Sequence, residues 1–188
     1  MKKQHNTRKK LKAAVIEMLQ KNPMQAMNIK SISTAAQISR TSFYANFENM
    51  DDLICELHDD FMNGFGFLCK AYSAPSLANT NNLATQLSEY IQKNKPILQF
   101  LLYTLGLDLF IDKTSAHALR LLITHCQHSG IILSNAQKYQ AEILLRGCIH
   151  TIYRLLPECN LTAISNTLQQ ACQLFSVSLL TEEICTIF

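Results

Sequence analysis

Ser39, Arg40, Thr41 and Ser42 stand in a row. They bring together a hydroxyl able to cap a helix, a guanidinium, and two more small hydroxyl side chains. At the start of a helix this set suits an anionic surface rich in hydrogen-bonding groups. A guanidinium can bridge guanine O6 and N7 with its planar fork, and small neighbours let the helix approach bases and phosphates. Lys30, just upstream, is a candidate phosphate contact. Tyr44, four residues beyond Arg40, can either cover the edge of a core or reach outward. A second cluster, His125 and His128 with His117 one stretch earlier, has metal-ligand character at the i, i+3 pair. No second pair with ligand spacing lies near it, so the preferred reading is histidines beside the negative end of a helix dipole, with no metal and no cofactor. The sequence has no Ser/His/Asp signature, no Gly-rich phosphate loop and no Glu-x-x-His pair, so no catalytic residue is expected.

These side chains need short helices to carry them. Leu11, Val15, Met18 and Leu19 share one face of a helix from about residue 7 to 21, stopped by Asn22-Pro23. Asn28 caps a second helix through Ile29, Ile32, Ala35 and Ala36, and Ser39 caps a third, expected over residues 40–47. Asn49 caps a fourth, with Asp52 at its third position and Leu53, Leu57, Phe61, Phe65 and Leu68 recurring along it, expected over 51–72. Residues 76–82 read as a polar connector. Further helices are expected at about 83–93, 96–111, 115–128, 135–156 and 161–179, stopped by Asn94-Lys95-Pro96, Ser129-Gly130 and Pro157 with Asn160. Gly106, inside an apolar helix, reads as a point of close helix packing. No segment alternates with period two, so the fold class is all-α.

The 188 residues, 48% hydrophobic and only 16% Asp, Glu, Lys and Arg, can bury a sizeable core, and the composition excludes a disordered chain. The longest apolar stretch, Ile97 to Ile111, contains Asp108 and falls short of the ~18 residues a membrane span requires. The N-terminal Met-Lys-Lys-Gln-His-Asn has charge but no apolar run behind it, so no signal peptide is expected. Seven scattered cysteines without a Cys-x-x-Cys pair suit reduced packing thiols, and the expected compartment is the cytoplasm. The net charge of +3 conceals an asymmetry. Residues 1–50 hold nine Lys/Arg against Glu17 and Glu48, a net +7, and residues 51–188 hold eight against twelve Asp/Glu, a net −4. A basic small unit on a mildly acidic body fits a nucleic-acid binder with a separate second function. The arm from Lys2 to Lys12, read as disordered, could equally meet phosphates, touch a membrane surface or stay solvated.

The run from Asn28 to Ile54, NIKSISTAAQISRTSFYANFENMDDLI, resembles the DNA-binding signature of TetR-type (TetR/AcrR) transcriptional regulators, T-x-x-x-I-A-x-x-A-G-V-S-x-x-x-F/L-Y-x-Y/H-F-x-S/N-K-x-x-L. Ile32, Ala36, Ile38, Ser39, Phe43, Tyr44, Phe47, Asn49 and Leu53 match it in type and spacing, and the resemblance covers about residues 8–57. Gln37 stands where the family has Gly in the turn, Asn46 where it has an aromatic residue or His, and Met50 where it has Lys. These departures bear on individual contacts more than on the fold. The resemblance implies a helix-turn-helix DNA-binding domain at residues 1–50 and a helical effector-binding and dimerisation domain at residues 51–188. The recognition helix would enter the major groove of a palindromic operator, and the Tyr44 hydroxyl would face a phosphate. The residues expected to meet DNA are Asn28, Lys30, Ser39, Arg40, Thr41, Ser42, Tyr44 and Asn46.

Farther along, Met62, Phe65, Phe100 and Tyr103 are individually ordinary core residues, and together they are where a small-molecule effector would sit if the chain behaves like its relatives. The helices expected at 135–156 and 161–179 are apolar on more than one face, and the surplus implies a second buried surface. Ile149, Ile152, Ile164, Leu168 and Phe175 are the expected homodimer contacts, with two helices from each chain closing a four-helix bundle. The leading expectation is a dimeric repressor released from its operator by an effector. Two alternatives stay open: a DNA-binding module that recruits a protein partner without a small ligand, and a helical metal-binding protein or enzyme.

Overall fold

The computed structural model describes residues 2–22, 27–70, 77–128, 130–158 and 160–185, with side chains described at 6–22, 27–68, 82–128, 130–158, 160–171 and 173–174. All regular structure among them is helical. The helices are α1 (Lys2–Lys21), α2 (Ile29–Ala35), α3 (Arg40–Tyr44), α4 (Met50–Lys70), α5 (Leu77–Lys93), α6 (Lys95–Leu105), α7 (Leu107–His128), α8 (Asn135–Leu155) and α9 (Leu161–Cys185). They form two compact units, Met1–Phe61 with Asn94–Gly106, and Met62–Lys93 with Leu107–Phe188. The division falls within α4 and takes α6 into the first unit, whereas the sequence suggested a cut at residue 50. Helix α4 is continuous across the division, so neither compact body ends where the fourth helix starts.

In the first unit α1 is helical from Lys2, so the N-terminal arm read as disordered is helix instead. Leu11, Ala14, Val15 and Leu19 are buried on one face of α1, and Ile32, Phe43, Phe47, Leu53, Ile54 and Leu57 are buried with them in the same core. Helix α1 packs on α2, α3 and α6, and α2 packs on α3. Local side chains set the short elements. Asn28 Oδ1 accepts from Ser31 N at 2.9 Å while Asn28 N donates to Ser31 Oγ at 3.1 Å, a reciprocal cap on α2. Asn49 Oδ1 accepts from Asp52 N at 2.9 Å to start α4, and Asp52 takes the Glu48 N–H at 3.2 Å.

In the second unit α5 packs on α9, α9 on α8, and α8 on α7. The last turns of α4 approach their neighbours through glycine. A Cβ on Gly64 would fall 2.2 Å from Tyr90 Oη, and one on Gly66 would fall 2.8 Å from a methyl of Leu121. Ser134 Oγ accepts from Gln137 N at 3.2 Å and Gln137 Oε1 accepts from Ser134 N at 2.8 Å, closing the start of α8. Asn160 Oδ1 does the same for α9, from Ala163 N at 3.0 Å. Arg146 on α8 meets Asp112 on α7 at 2.7 Å, in solvent.

Several expected boundaries move. The helix read over 96–111 breaks at Gly106, whose φ of 76° only glycine adopts without strain, and a second helix starts at Leu107. A Cβ at Gly106 would meet nothing within 4 Å, so the residue is a hinge of the chain path and not a site of close packing. Of the polar connector 76–82, the part from Leu77 belongs to α5; Ser76 lies outside the described residues. Helix α9 runs on to Cys185. Tyr72, the expected end of α4, lies outside the described residues, as do Pro23 and Ser129. Among the described residues no helix is long and apolar enough to cross a membrane.

Candidate nucleic-acid interface

Helix α3 is only five residues long, and its orientation comes from what precedes and follows it. Gln37 stands in the left-handed region with φ 56°, and around it Gln37 N donates to Thr34 O at 3.1 Å and Ile38 N to Ser33 O at 3.0 Å. That pair of bonds is the Schellman arrangement, which ends α2 and aims the chain into the next helix. The position is the one where the sequence signature has glycine, and here a glutamine side chain bears the conformation. Ser39 then accepts from Ser42 N at 3.1 Å through Oγ and opens α3, with its hydroxyl 2.9 Å from that of Ser42.

On α3 the side chains sort cleanly. Phe43 is fully buried, with its ring centroid 5.7 Å from Phe47 and, edge-on, 5.7 Å from Tyr44. Arg40, Thr41 and Tyr44, at i, i+1 and i+4, are exposed; Tyr44 is 52% exposed, unusual for a large aromatic side chain. Ser39, Asn28 and Lys30 are exposed beside them, and Ser42 is half-buried. Asn46 is placed differently from the expectation. It is only 8% exposed, its Nδ2 donates to Ser42 O at 2.7 Å, and its Oδ1 is buried without a partner. The chain has left the helix at Ala45, which turns Asn46 inward and away from the face that carries Arg40 and Tyr44.

The basic residues of α1 also divide. Lys9 and Lys10 are exposed, whereas Arg8 and Lys12 turn toward α4. Arg8 pairs with Glu56, and Lys12 reaches Glu56 at 2.7 Å and Asp60 at 2.5 Å. Burial pulls the Lys12 ammonium down, but its hydrogen bonds to Asp60 and Glu56 outweigh that and hold it above its ordinary value. The sequence reading missed this network. Its only trace is that Arg8 and Lys12, like Glu56 and Asp60, are four residues apart on a helix, which gives two matching rows of opposite charge.

No family model matches the sequence. No curated protein is similar to it in sequence. A solved structure, described as a transcriptional regulator of the TetR/AcrR family from Aquifex aeolicus VF5, superposes with a TM-score of 0.57 over 89% of this chain and 98% of that one, at 16% identity. This chain therefore shares the fold of that structure. At this identity the likeness is one of fold.

Within this fold the other expected sites fare unevenly. Met62 is buried and Phe65 half-buried in the second unit, while Phe100 is buried in the core of the first. Tyr103 is 79% exposed, one turn from the end of α6, so it is not a lining residue of an enclosed site. Ile164 and Leu168 are buried within the chain, because α9 spends that face on its own neighbours α5 and α8. They are core and not free interface. Ile149 and Ile152 are half-buried, and the side chain of Phe175 lies outside the described residues. Among the described residues, the exposed large apolar side chains of the same helices are Tyr139 and Ile143 on α8 and Leu174 on α9. His125 and His128 lie in the last turn of α7, where His128 Nδ1 is 2.6 Å from Thr124 O on its own helix, whereas His117 lies mid-helix, grouped with His58 and Asp59. Cys126 beside them is buried, and that burial pushes its thiol up, away from reactivity.

Proposed function

We propose that the chain is a transcriptional regulator that binds double-stranded DNA through α2 and α3. The observation that carries this reading is the division of α3, with Phe43 locked into the core and Arg40, Thr41 and Tyr44 left exposed on one face of a basic unit. In this reading Arg40 reads a base edge, Lys30 and Tyr44 meet phosphates, and Asn28, Ser39, Thr41 and Ser42 line the approach. The protein acts as a homodimer in the cytoplasm, with one recognition helix per half-site of a palindromic operator, and does no catalysis. The dimer surface uses the exposed residues Tyr139, Ile143 and Leu174 together with the half-buried Ile149 and Ile152. The output is repression, relieved by a small molecule held among the helices of the second unit near Met62 and Phe65.

Selection of bound duplexes from random DNA with the purified chain tests the central claim. Recovered sites should carry an inverted repeat; absence of any enrichment refutes the reading. A second reading, a DNA-binding module that recruits a protein partner without a small ligand, draws on the exposed Ile131 and Ile132 ahead of α8. The two part on whether any compound that binds the chain shifts its affinity for the selected duplex.

A further inference from the structure

Arg8 lies in the basic N-terminal stretch, where a cation is readily assigned to DNA phosphate, yet its side chain is engaged within the first unit. One guanidinium nitrogen donates to Glu56 Oε2 on α4. The other donates to the backbone carbonyl of Asn46 at 2.5 Å, and the guanidinium carbon lies 4.6 Å from the centre of the Phe47 ring. Asn46 and Phe47 form the exit from α3. A helix of five residues cannot hold its own orientation, since isolated helices much longer than this are marginal in water. Phe43 and Phe47 anchor it through the core, and Arg8 ties the carbonyl of Asn46, two residues past its end, to Glu56 on α4. Lys12, one turn along α1, grips the same Glu56 and then Asp60, so the carboxylate that receives Arg8 is itself held in place.

We propose that Arg8 is a positioning residue for DNA recognition: it fixes the exit of the recognition helix against Glu56 and makes no contact with phosphate. The inference rests on the DNA-binding reading above. Its chemistry requires arginine, because only a planar fork can serve a carboxylate and a carbonyl at once while stacking on an aromatic ring; an ammonium has the charge without that geometry.

The two roles differ in sign at Glu56. Removing a carboxylate from a basic unit strengthens DNA binding if charge alone matters. If Glu56 holds Arg8, removing it frees the end of α3 and weakens binding. The full chain, with Arg8→Lys, Arg8→Met, Glu56→Gln and Lys30→Ala as variants, is titrated with a duplex recovered by selection over a range of salt, and amide hydrogen exchange is followed across residues 40–47. Glu56→Gln and Arg8→Lys should each weaken binding roughly tenfold, the scale of one charge-assisted hydrogen bond. The slope of log affinity against log salt should stay at the wild-type value, and exchange at the end of α3 should quicken. Lys30→Ala should lower that slope by about 1. A drop in slope for Arg8→Met of the same size, or Glu56→Gln binding as tightly as the wild type or more so, overturns the proposal. So does α3 exchange that is unchanged in Arg8→Lys, the milder variant that keeps the charge. A wild-type chain that selects no duplex overturns the DNA-binding reading and the proposed role with it; the exchange measurement then still reports whether Arg8 holds α3, so the two failures are told apart.

Discussion

Replacing Gln37 with glycine should stabilise the protein. At φ 56° the Cβ of an L-residue crowds its own backbone, a cost of about 1–2 kcal/mol that glycine does not incur. Glycine surrenders more freedom on folding, roughly 0.5–1 kcal/mol, which offsets part of the gain. The Gln37 side chain is exposed and no packing is lost, so Gln37→Gly should gain about 0.5–1 kcal/mol. For a chain of this length that corresponds to roughly 1–4 °C in Tm. Gln37→Asn, which tolerates the left-handed region while keeping a Cβ, should gain less. Gln37→Pro should do the opposite, because its ring sets φ near −65° and removes the N–H that Thr34 O accepts; a loss of ~3 kcal/mol is the scale for such a change. Urea unfolding of the full chain followed by far-ultraviolet circular dichroism reads all three, with the midpoint moving and the slope unchanged. The turn keeps its geometry in Gln37→Gly, so affinity for a selected duplex should hold to within about twofold. A glycine variant no more stable than the wild type, beside a proline variant that is tolerated, would mean that residue 37 is not left-handed in solution and that the turn has been misread.

Ile164→Glu places a carboxylate at a site 2% exposed and should unfold the second unit, a loss of about 4 kcal/mol or more, while Ile143→Glu, at a site 70% exposed, should change stability by less than ~0.5 kcal/mol and yet shift sedimentation from dimer to monomer. A folded monomer from Ile164→Glu would contradict the burial of α9. Gly66→Ala drives a methyl against Leu121 and should cost about 1–3 kcal/mol, whereas Gly147→Ala, with open space around it on α8, should gain roughly 0.5–1 kcal/mol; equal effects in urea unfolding would refute the close approach at Gly66. Because the Lys12 ammonium is held above 10.5, the folded state binds that proton more tightly than the unfolded state. The contribution of its proton is therefore present below about pH 10.5 and is lost as pH rises through the higher folded value, so the stability difference between wild type and Lys12→Met should shrink across that alkaline range.

Much of the first unit was readable one residue at a time. Asn28, Ser39 and Asn49 each satisfy a backbone N–H three residues on, and that geometry depends only on neighbours in the chain. The turn at Gln37 was marked instead by the resemblance, whose signature has glycine at that position. The split face of α3 follows from helical spacing once Phe43 is known to be apolar and Arg40, Thr41 and Tyr44 polar or amphipathic. The break at Gly106 was harder to see, because the residues on both sides are equally apolar and a single glycine is compatible with a continuous helix. Its φ of 76°, where α6 ends and α7 begins, shows only in the folded chain.

By itself the sequence determined that the chain is helical, where its short helices start, and which face of the third one is apolar. These are settled by bonds and spacings within about four residues. Tertiary structure decided which of several candidate side chains stay on the surface. Asn46 and Arg8 carry the composition of DNA contacts, but one turns inward at the end of α3 and the other bonds Glu56, 48 residues away in sequence. Ile164 and Leu168 have the composition of a dimer interface, but α5 and α8 had already covered them. A polar or apolar stripe states what a face needs, and only the element that packs against it, distant along the chain, settles whether that need is met from within.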